Sequence, residues 1–426
     1  MSEQTTNIPM GYKSSSLGII PEDWEVRRLG EVGEVFSGGT PNTEIQEYWN
    51  GNIDWCTPTD ITLLNGAVYI ERTALKITDL GLKSSSAVLL PPNSIIVCTR
   101  ATIGNAAISL HQIATNQGFK NIVPNENIDT LFLYYTIVNN KIRLIRLGNG
   151  STFLEVSKSD FENLTIPVPP LPEQHRIVSV LSLWDTAIAK QTALIEQLTL
   201  RKRGLMQQLL TGKKRMKGFE GEWKEVRLGD VASINRGGSP RPIEDYITDG
   251  DGYNWIKIGD VGVDAKYITR TEEKIIKEGL SKTRFVKSGD FILSNSMSFG
   301  RPYILKIDGC IHDGWLVIQE YDKTFNIDFL YYILGYDTTL AQYKSMAAGS
   351  GVLNLNKEIV KEVMLKTPSI DEQKAIATIL VESDKEIELA NKKLERLQQE
   401  KKGLMQVLLT GKKRVKQYDK KEEFQN

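Results

Sequence analysis

GLMQQLLTGKKR occupies residues 204–215 and GLMQVLLTGKKR occupies residues 403–414, with Gln208 against Val407 as the only difference. Either one helix end has been copied alone, or a whole domain has been copied with it. The flanking sequence selects the second. WEVRRLGEV (24–32) is answered by WKEVRLGDV (223–231), and VFSGGTP (35–41) by INRGGSP (234–240), both at the same offset of 199. Asp54-Trp55 is echoed by Asn254-Trp255 and Asp60 by Asp260, 200 positions on. TIG (102–104) faces SFG (298–300), and NQGF (116–119) faces HDGW (312–315), both at 196. GNG (148–150) faces GSG (349–351), and Glu173-Gln174 faces Glu372-Gln373 with the offset of 199 restored. So long a period means two copies of a domain and not a solenoid. A frame of Gly, Trp and Pro is kept while the residues between them change, which is the pattern of two variable surfaces on one chassis. KKRMK (213–217) runs straight into the second copy, whereas KKRVK (412–416) closes the second. A closed arrangement with pseudo-two-fold symmetry is expected, with the tail near the first domain.

The bulk numbers agree with a globular chain. The 426 residues leave room for two to four domains, and 40% hydrophobic with 25% charged residues argues against disorder. Lys plus Arg and Asp plus Glu both number 53, so any nucleic-acid site must come from local clustering. Cys56, Cys98 and Cys310 lack CxxC spacing and read as reduced thiols. His111, His175 and His312 are isolated, so no metal site is expected. No apolar run approaches the length of a membrane span, and the first residues lack the apolar core of a secretion signal. A cytoplasmic protein is expected.

Two segments carry a 4-3 apolar repeat for more than four heptads. The first seam runs through Ile177, Leu181, Trp184, Ile188, Gln191, Ile195, Leu198, Lys202, Leu205 and Leu209. The second runs through Ile376, Leu380, Ser383, Ile387, Ala390, Leu394, Leu397, Lys401, Leu404 and Leu408. This spacing predicts two long helices that form a mutual antiparallel coiled coil. Pro172 suits a first turn, Ser369 with Glu372 reads as a capping box, and Thr-Gly at 211–212 and 410–411 reads as a left-handed stop. Lys202 and Lys401 on the seam would set register at some cost. Gly204 and Gly403 imply a close helix approach or a bend, each at about 1 kcal/mol relative to Ala. From Ile177 to Leu209 such a helix is about 48 Å long, the rise of roughly 14 base pairs. Two heads on such struts suit two major grooves about one helical turn apart or slightly more.

Each copy also carries short alternating runs that predict strands: 94–99, 106–109 and 121–123, then 291–294, 303–305 and 315–318. Segments 131–144 and 329–340 read as helices, which makes each head a mixed α/β domain with a twisted sheet. Three Gly-flanked polar loops recur in both copies: 37–40, 100–104 and 116–118, then 236–241, 295–301 and 312–314. Glycine lets a backbone approach a phosphate, Arg reads guanine, and Asn or Gln reads adenine. The candidate DNA contacts in the first copy are Ser37, Thr40, Arg100, Thr102, Asn105, Asn116, Gln117 and Lys120. Those in the second are Arg236, Ser239, Arg241, Asn295, Ser298, Arg301, His312 and Asp313. The basic runs 201–203, 213–217 and 412–416 suit either helix dipoles or phosphates.

PEDW (21–24) before Leu29-Gly30, TRATIG (99–104), NQG (116–118) and PPLPEQ (169–174) together resemble the specificity subunit of Type I restriction–modification enzymes. The similarity covers nearly the whole chain, twice. It implies target recognition domains at 1–168 and 216–367, conserved helical spacers at 169–215 and 368–416, and a tail at 417–426. Each recognition domain would read half of a split, asymmetric DNA site, and the helices would bind two methyltransferase subunits. Restriction or translocase subunits would join in the full complex. Catalysis would lie elsewhere, with S-adenosylmethionine, ATP and Mg on the partners and no cofactor in this chain. In the second copy Ser296 replaces Arg100, and His312-Asp313 replaces Asn116-Gln117, which implies a different half-site.

No catalytic set stands out against this. There is no Asn-Pro-Pro-aromatic run, and the two GxG pairs read as turns, not as a cofactor loop. Pro368, Asp371, Glu372 and Lys374 faintly resemble a nuclease signature, but His175 stands where Lys374 would be in the first copy, so a helix cap is the better reading. The alternatives are a one-chain DNA methyltransferase or nickase and a scaffold that binds no nucleic acid. S-adenosylmethionine binding by the isolated chain would favour the former, and sequence-blind DNA-shift behaviour the latter. If the helices are struts, inserting a second Leu-Thr-Leu-Arg after Arg201 adds about 6 Å, close to two base pairs of rise. The altered complex is expected to methylate the same half-sites with a gap one or two base pairs longer. An unchanged gap in a folded, active complex refutes the strut.

Overall fold

The structure, a computed structural model, describes residues 8–148, 154–262, 265–295, 300–348 and 355–415. The chain forms two compact units, one made of Met1–Thr192 with Lys393–Asn426, the other of Ala193–Lys392. The second unit is continuous, whereas the first is assembled from both chain ends.

The first unit has a five-stranded sheet in the order Gly33–Ser37, Phe119–Pro124, Ile95–Cys98, Ala106–Ser109, Tyr69–Ile70. Only its last pair is parallel. The second unit repeats order and sense with Ser233–Arg236, Trp315–Gln319, Phe291–Ser294, Pro302–Leu305 and Tyr267–Ile268. The central strands are buried on both faces, and the period of two sends alternate residues to different cores. Ile95, Val97 and Ile108 join a core with Phe132 and Tyr135, while Ile96, Cys98 and Ala107 join another with Phe119 and Ile113. Likewise Phe291 and Leu293 face Phe329, and Ile292 and Val317 face Trp315. A second sheet covers the far face, built on Trp49–Cys56 in one unit and Tyr253–Ile256 in the other.

The expected helix over 131–144 is two helices, Thr130–Asn139 and Lys141–Leu147, because Asn140 turns its amide onto the Thr136 carbonyl at 2.8 Å and ends the first. That over 329–340 is Ile327–Leu334 and Asp337–Ala348, with Gly335 ending the first. Apolar spacing alone cannot register a break made by one side chain or one glycine. The two long helices are present as Leu171–Leu209 and Ile370–Leu408, each of 39 residues.

Within the first unit the start of the first helix packs against the end of the second: Ile177 and Leu181 share a core with Met405, Leu408 and Leu409. Within the second unit Leu209 and Leu210 share a core with Ile376, Ala377 and Leu380. Burial along the seams is uneven. Ile177, Leu181, Leu209, Ile376, Leu380 and Leu408 are buried, whereas Ile188, Ile195, Leu198, Ile387, Leu394 and Leu397 are half-buried. The smaller or polar seam residues Gln191, Ser383 and Ala390 are buried as well.

Neither seam lysine is a bare register device. Lys401 bonds Asp185, which also accepts the Tyr135 hydroxyl, and its ammonium lies 4.8 Å from that ring. Lys202 bonds Asp384 in the same way, with Tyr332 donating to that carboxylate at 2.5 Å. Burial pushes both phenols up and the adjacent carboxylates push them further, so each stays protonated and donates.

The repeated dodecamers end on a second lock. Arg414 grips Glu173, with Nε 3.0 Å from Oε1 and Nη2 2.5 Å from Oε2, and also bonds Asp23 at 2.7 Å. Trp24 donates its indole N–H to the same Glu173 at 3.0 Å. Arg215 binds both oxygens of Glu372 at 2.8 Å. Glu372 therefore does not complete a capping box: its carboxylate faces Arg215, and only the Ser369 hydroxyl caps, accepting from the Glu372 amide at 3.4 Å. Gln174 and Gln373, next in sequence, hold the head helices, accepting from the amides of Asp129 at 2.9 Å and Asn326 at 2.8 Å. Gly212 and Gly411 take φ of 71°, the expected left-handed stop. Gly204 and Gly403 have open space where a Cβ would lie, so no close approach explains them.

Glu173 and Glu372 are 2% and 1% exposed, so removing either arginine strands a buried carboxylate. Arg414→Ala is expected to destabilise the first unit by about 3 kcal/mol, with hydrogen exchange rising there and not in 193–392. Arg215→Ala should show the reverse pattern. Uniform loosening in either variant contradicts the assignment.

Candidate nucleic-acid interface

Strand register brings the three loops together in each head. Lys120 pairs with Ser37 and Phe119 with Cys98, so segments 37–40, 99–104 and 116–118 leave the sheet at one end. Leu316 pairs with Arg236 and Trp315 with Ser294, which places 236–241, 295 and 312–314 together in the second head. Ser298 lies outside the described residues.

Gly38 and Gly237 let the loops touch each other. A Cβ on Gly38 would fall 1.8 Å from the Asn116 carbonyl oxygen, and one on Gly237 2.2 Å from that of His312. An equivalent side-chain pair ties the pressed loops in each head: Thr40 with Gln117, and Ser239 with Asp313 at 3.0 Å. Sequence spacing alone did not pair these residues. Asn116 and His312 also share a task, since Oδ1 of the one accepts the Gly118 amide at 2.9 Å and Nδ1 of the other accepts the Gly314 amide at 2.8 Å. Both were expected as base readers, but each spends one acceptor on its own turn.

In the first head Arg100 and Glu155 face each other across an isolated antiparallel bridge, and Nη2 lies 2.6 Å from Oε2. Lys120, expected at the surface, is 5% exposed and stands 3.5 Å from the other oxygen of Glu155. It is an internal counter-charge, because the strand that carries it is buried on both faces. Burial pushes the Glu155 carboxyl up, but Arg100 and then Lys120 outweigh it and hold it below the ordinary range. Asn105 accepts from Lys141 at 2.7 Å. Arg100, Thr102, Ile103, Asn105, Lys141, Ile145, Leu154 and Glu155 line an open cavity of about 830 Å³. Glu155 and Lys141 were not singled out in the sequence; a carboxylate that follows a basic loop by 55 positions leaves no local signal.

In the second head Asp313 is the hub. Its carboxylate takes Ser239, lies 3.5 Å from Arg241 and 3.1 Å from His312, and its carbonyl accepts Arg236 at 3.0 Å and Asn295 at 3.1 Å. Burial pushes this carboxyl up, but the Ser239 hydroxyl and the His312, Arg236 and Arg241 side chains hold it below the ordinary range. Asn295 is buried, so it is a strut of the loop and not an outward group. Arg301 lies 5.8 Å from the Tyr303 ring. Gln117, Arg236 and Arg241 face solvent, and Ser37, Thr40, Arg100, Ser239 and His312 are half-buried. A hollow of about 490 Å³ beside Asp313 is lined also by Trp255, Lys257 and Glu273, the last two 2.5 Å apart. Among the described residues no group of three or more His, Cys, Asp or Glu could hold a metal, and no helix is long and apolar enough to cross a membrane.

A family model described as "Type I restriction modification DNA specificity domain" matches residues 21–200 and again 220–399. The MjaVIII specificity subunit of Methanocaldococcus jannaschii is 28% identical over 93% of this chain and 94% of its own length. The MjaIX specificity subunit of the same organism is 33% identical over 55% of this chain and 58% of its own length. The EcoR124I/EcoR124II specificity subunit of Escherichia coli is 30% identical over 41% of this chain and 44% of its own length. A solved structure described by the words "structural basis underlying complex assembly and conformational transition of the type I R-M system" superposes with a TM-score of 0.63 at 21% identity, over 92% of this chain and 99% of that one. The S subunit from M. genitalium gives 0.53 at 16% identity, over 91% and 96%. These two likenesses speak for the fold alone.

A carboxylate held below its ordinary range stabilises the fold above that range, and the stabilisation is lost as the pH falls through the held-down value. Asp313→Asn is expected to lower the stability of the second unit by about 1 kcal/mol near pH 7, after allowance for solvent screening. The gap from the unaltered protein should close below about pH 4. A gap that persists in acid means packing and not charge is responsible.

Proposed function

This chain belongs to the family of Type I restriction–modification DNA specificity domains, which it carries twice, and from that premise we propose that it is the DNA sequence-recognition subunit of such a complex. Each head reads one half of a bipartite, asymmetric site. The single observation that carries this reading is the shared loop frame with unlike outward groups. Thr40–Gln117 and Ser239–Asp313 hold equivalent loops together. Yet Gln117 and Arg100 stand on one frame, and Arg236, Arg241 and His312 on the other. Identical scaffolds with different hydrogen-bonding edges suit two different base sequences.

On this reading the chain is not itself catalytic. S-adenosylmethionine, ATP and Mg belong to partner subunits, two methyltransferase subunits dock on the long helices, and the complex works in the cytoplasm. The frame is neutral in bulk, so phosphate contacts come from local basic groups such as Arg241, whose side chain is 82% exposed.

Mapping methylated bases across the host genome tests the proposal. One split motif whose loss accompanies loss of this chain is expected. Arg100→Ala should relax one half of that motif by about 1–3 kcal/mol of discrimination, and leave the other half intact. Equal loss on all sequences makes Arg100 a phosphate contact, and methylation indifferent to this chain removes the function.

A further inference from the structure

We propose that Glu155 is a positioning residue for recognition by the first head: it aims Arg100 at one base and at the same time weakens the hold on DNA of the wrong sequence. The inference rests on the reading that this head contacts DNA through Arg100. Glu155 lies outside every Gly-flanked loop, yet it meets the Arg100 guanidinium at 2.6 Å and the buried Lys120 at 3.5 Å.

Three features make the pair a clamp. Glu155 is drawn towards the sheet by Lys120, a buried cation whose burial requires a nearby counter-charge. Arg100 and Glu155 are partners in an isolated antiparallel bridge, which fixes the separation of their backbones. Ala101, next to Arg100, takes φ of 53°, in the left-handed region that a residue with a Cβ rarely adopts, so the loop turns sharply just after the arginine. With Nη2 engaged on Glu155, one end of the guanidinium is held by the protein before any duplex arrives. The remaining N–H groups of Arg100, which is 42% exposed on its side chain, are left for an acceptor pair such as guanine O6 and N7.

The same carboxylate has a second effect. A negative charge beside the reading arginine repels phosphate, so a duplex that cannot satisfy Arg100 with base acceptors gains little from the loop. Glu155 thus raises discrimination from both sides. A merely structural salt bridge would do neither selectively.

The experiment uses the complete complex with its modification subunits. It titrates duplexes that carry the methylation-mapped site, that site with the first half altered, and that site with the second half altered. Glu155→Gln is expected to reduce discrimination at the first half-site by about 10- to 100-fold, with the second unchanged. Binding to unrelated duplex should rise by about two- to fivefold at low salt. Glu155→Asp keeps the charge but withdraws it by one methylene, so it should lose discrimination without the rise in unrelated binding. In the Arg100→Ala background, Glu155→Gln should cost no further discrimination, because the clamp has nothing left to aim. The proposal is overturned if the two losses add, if both half-sites weaken together, or if discrimination is untouched in a variant that melts like the unaltered complex. Should the unaltered complex not distinguish the first half-site at all, base reading by this head fails, and this role of Glu155 fails with it.

Discussion

A buried carboxylate at the start of each long helix, gripped by an arginine just past the end of the other, is the constraint on which the rest depends. Glu173 and Glu372 are almost wholly removed from water, and neither would be tolerated there without Arg414 or Arg215. Glu173 meets Arg414 and Asp185 meets Lys401, as Glu372 meets Arg215 and Asp384 meets Lys202, so the helix segments within each unit run in opposite directions. The Lys401–Asp185–Tyr135 and Lys202–Asp384–Tyr332 sets then fix the same register further along and tie it to a head helix. The repeated dodecamer is kept because it ends on the arginine, the left-handed glycine and the buried leucines that this junction needs.

The heads follow the same economy of frame and variable part. Strand pairing delivers three loops to one end of a sheet, and glycine at 38 and 237 lets two of them touch. Once the loops touch, side chains at 40 and 117, or 239 and 313, hold them, and the exchange of Thr–Gln for Ser–Asp keeps a hydrogen bond while it changes the charge. The Asp313 carboxylate lies beside His312 and Arg241, whereas in the first head Arg100 pairs with Glu155 from a different part of the chain. With Arg236 against Ser37 and Ser296 against Arg100 as well, the two frames carry different cations.

The duplication, the two long helices, the three inner strands of each five-stranded sheet and the left-handed stops were legible in the sequence, because each rests on local chemistry: a repeat offset, a 4-3 apolar spacing, a period of two, a glycine after a threonine. The tertiary structure decided what lies across the chain. That Glu372 serves Arg215 and not its own helix cap depends on a residue 157 positions away. Lys120 reads as a candidate DNA contact, yet its strand is covered on both sides and its ammonium stands beside Glu155. Asn116 and His312 have little in common as residue types, and only the turn shows them accepting the same kind of amide. Local propensity acts over a few bonds and leaves its mark in spacing. Burial and ion pairing act between segments brought together by the sheet, so the sequence could place the loops but not say which of their polar groups remain free to read another molecule.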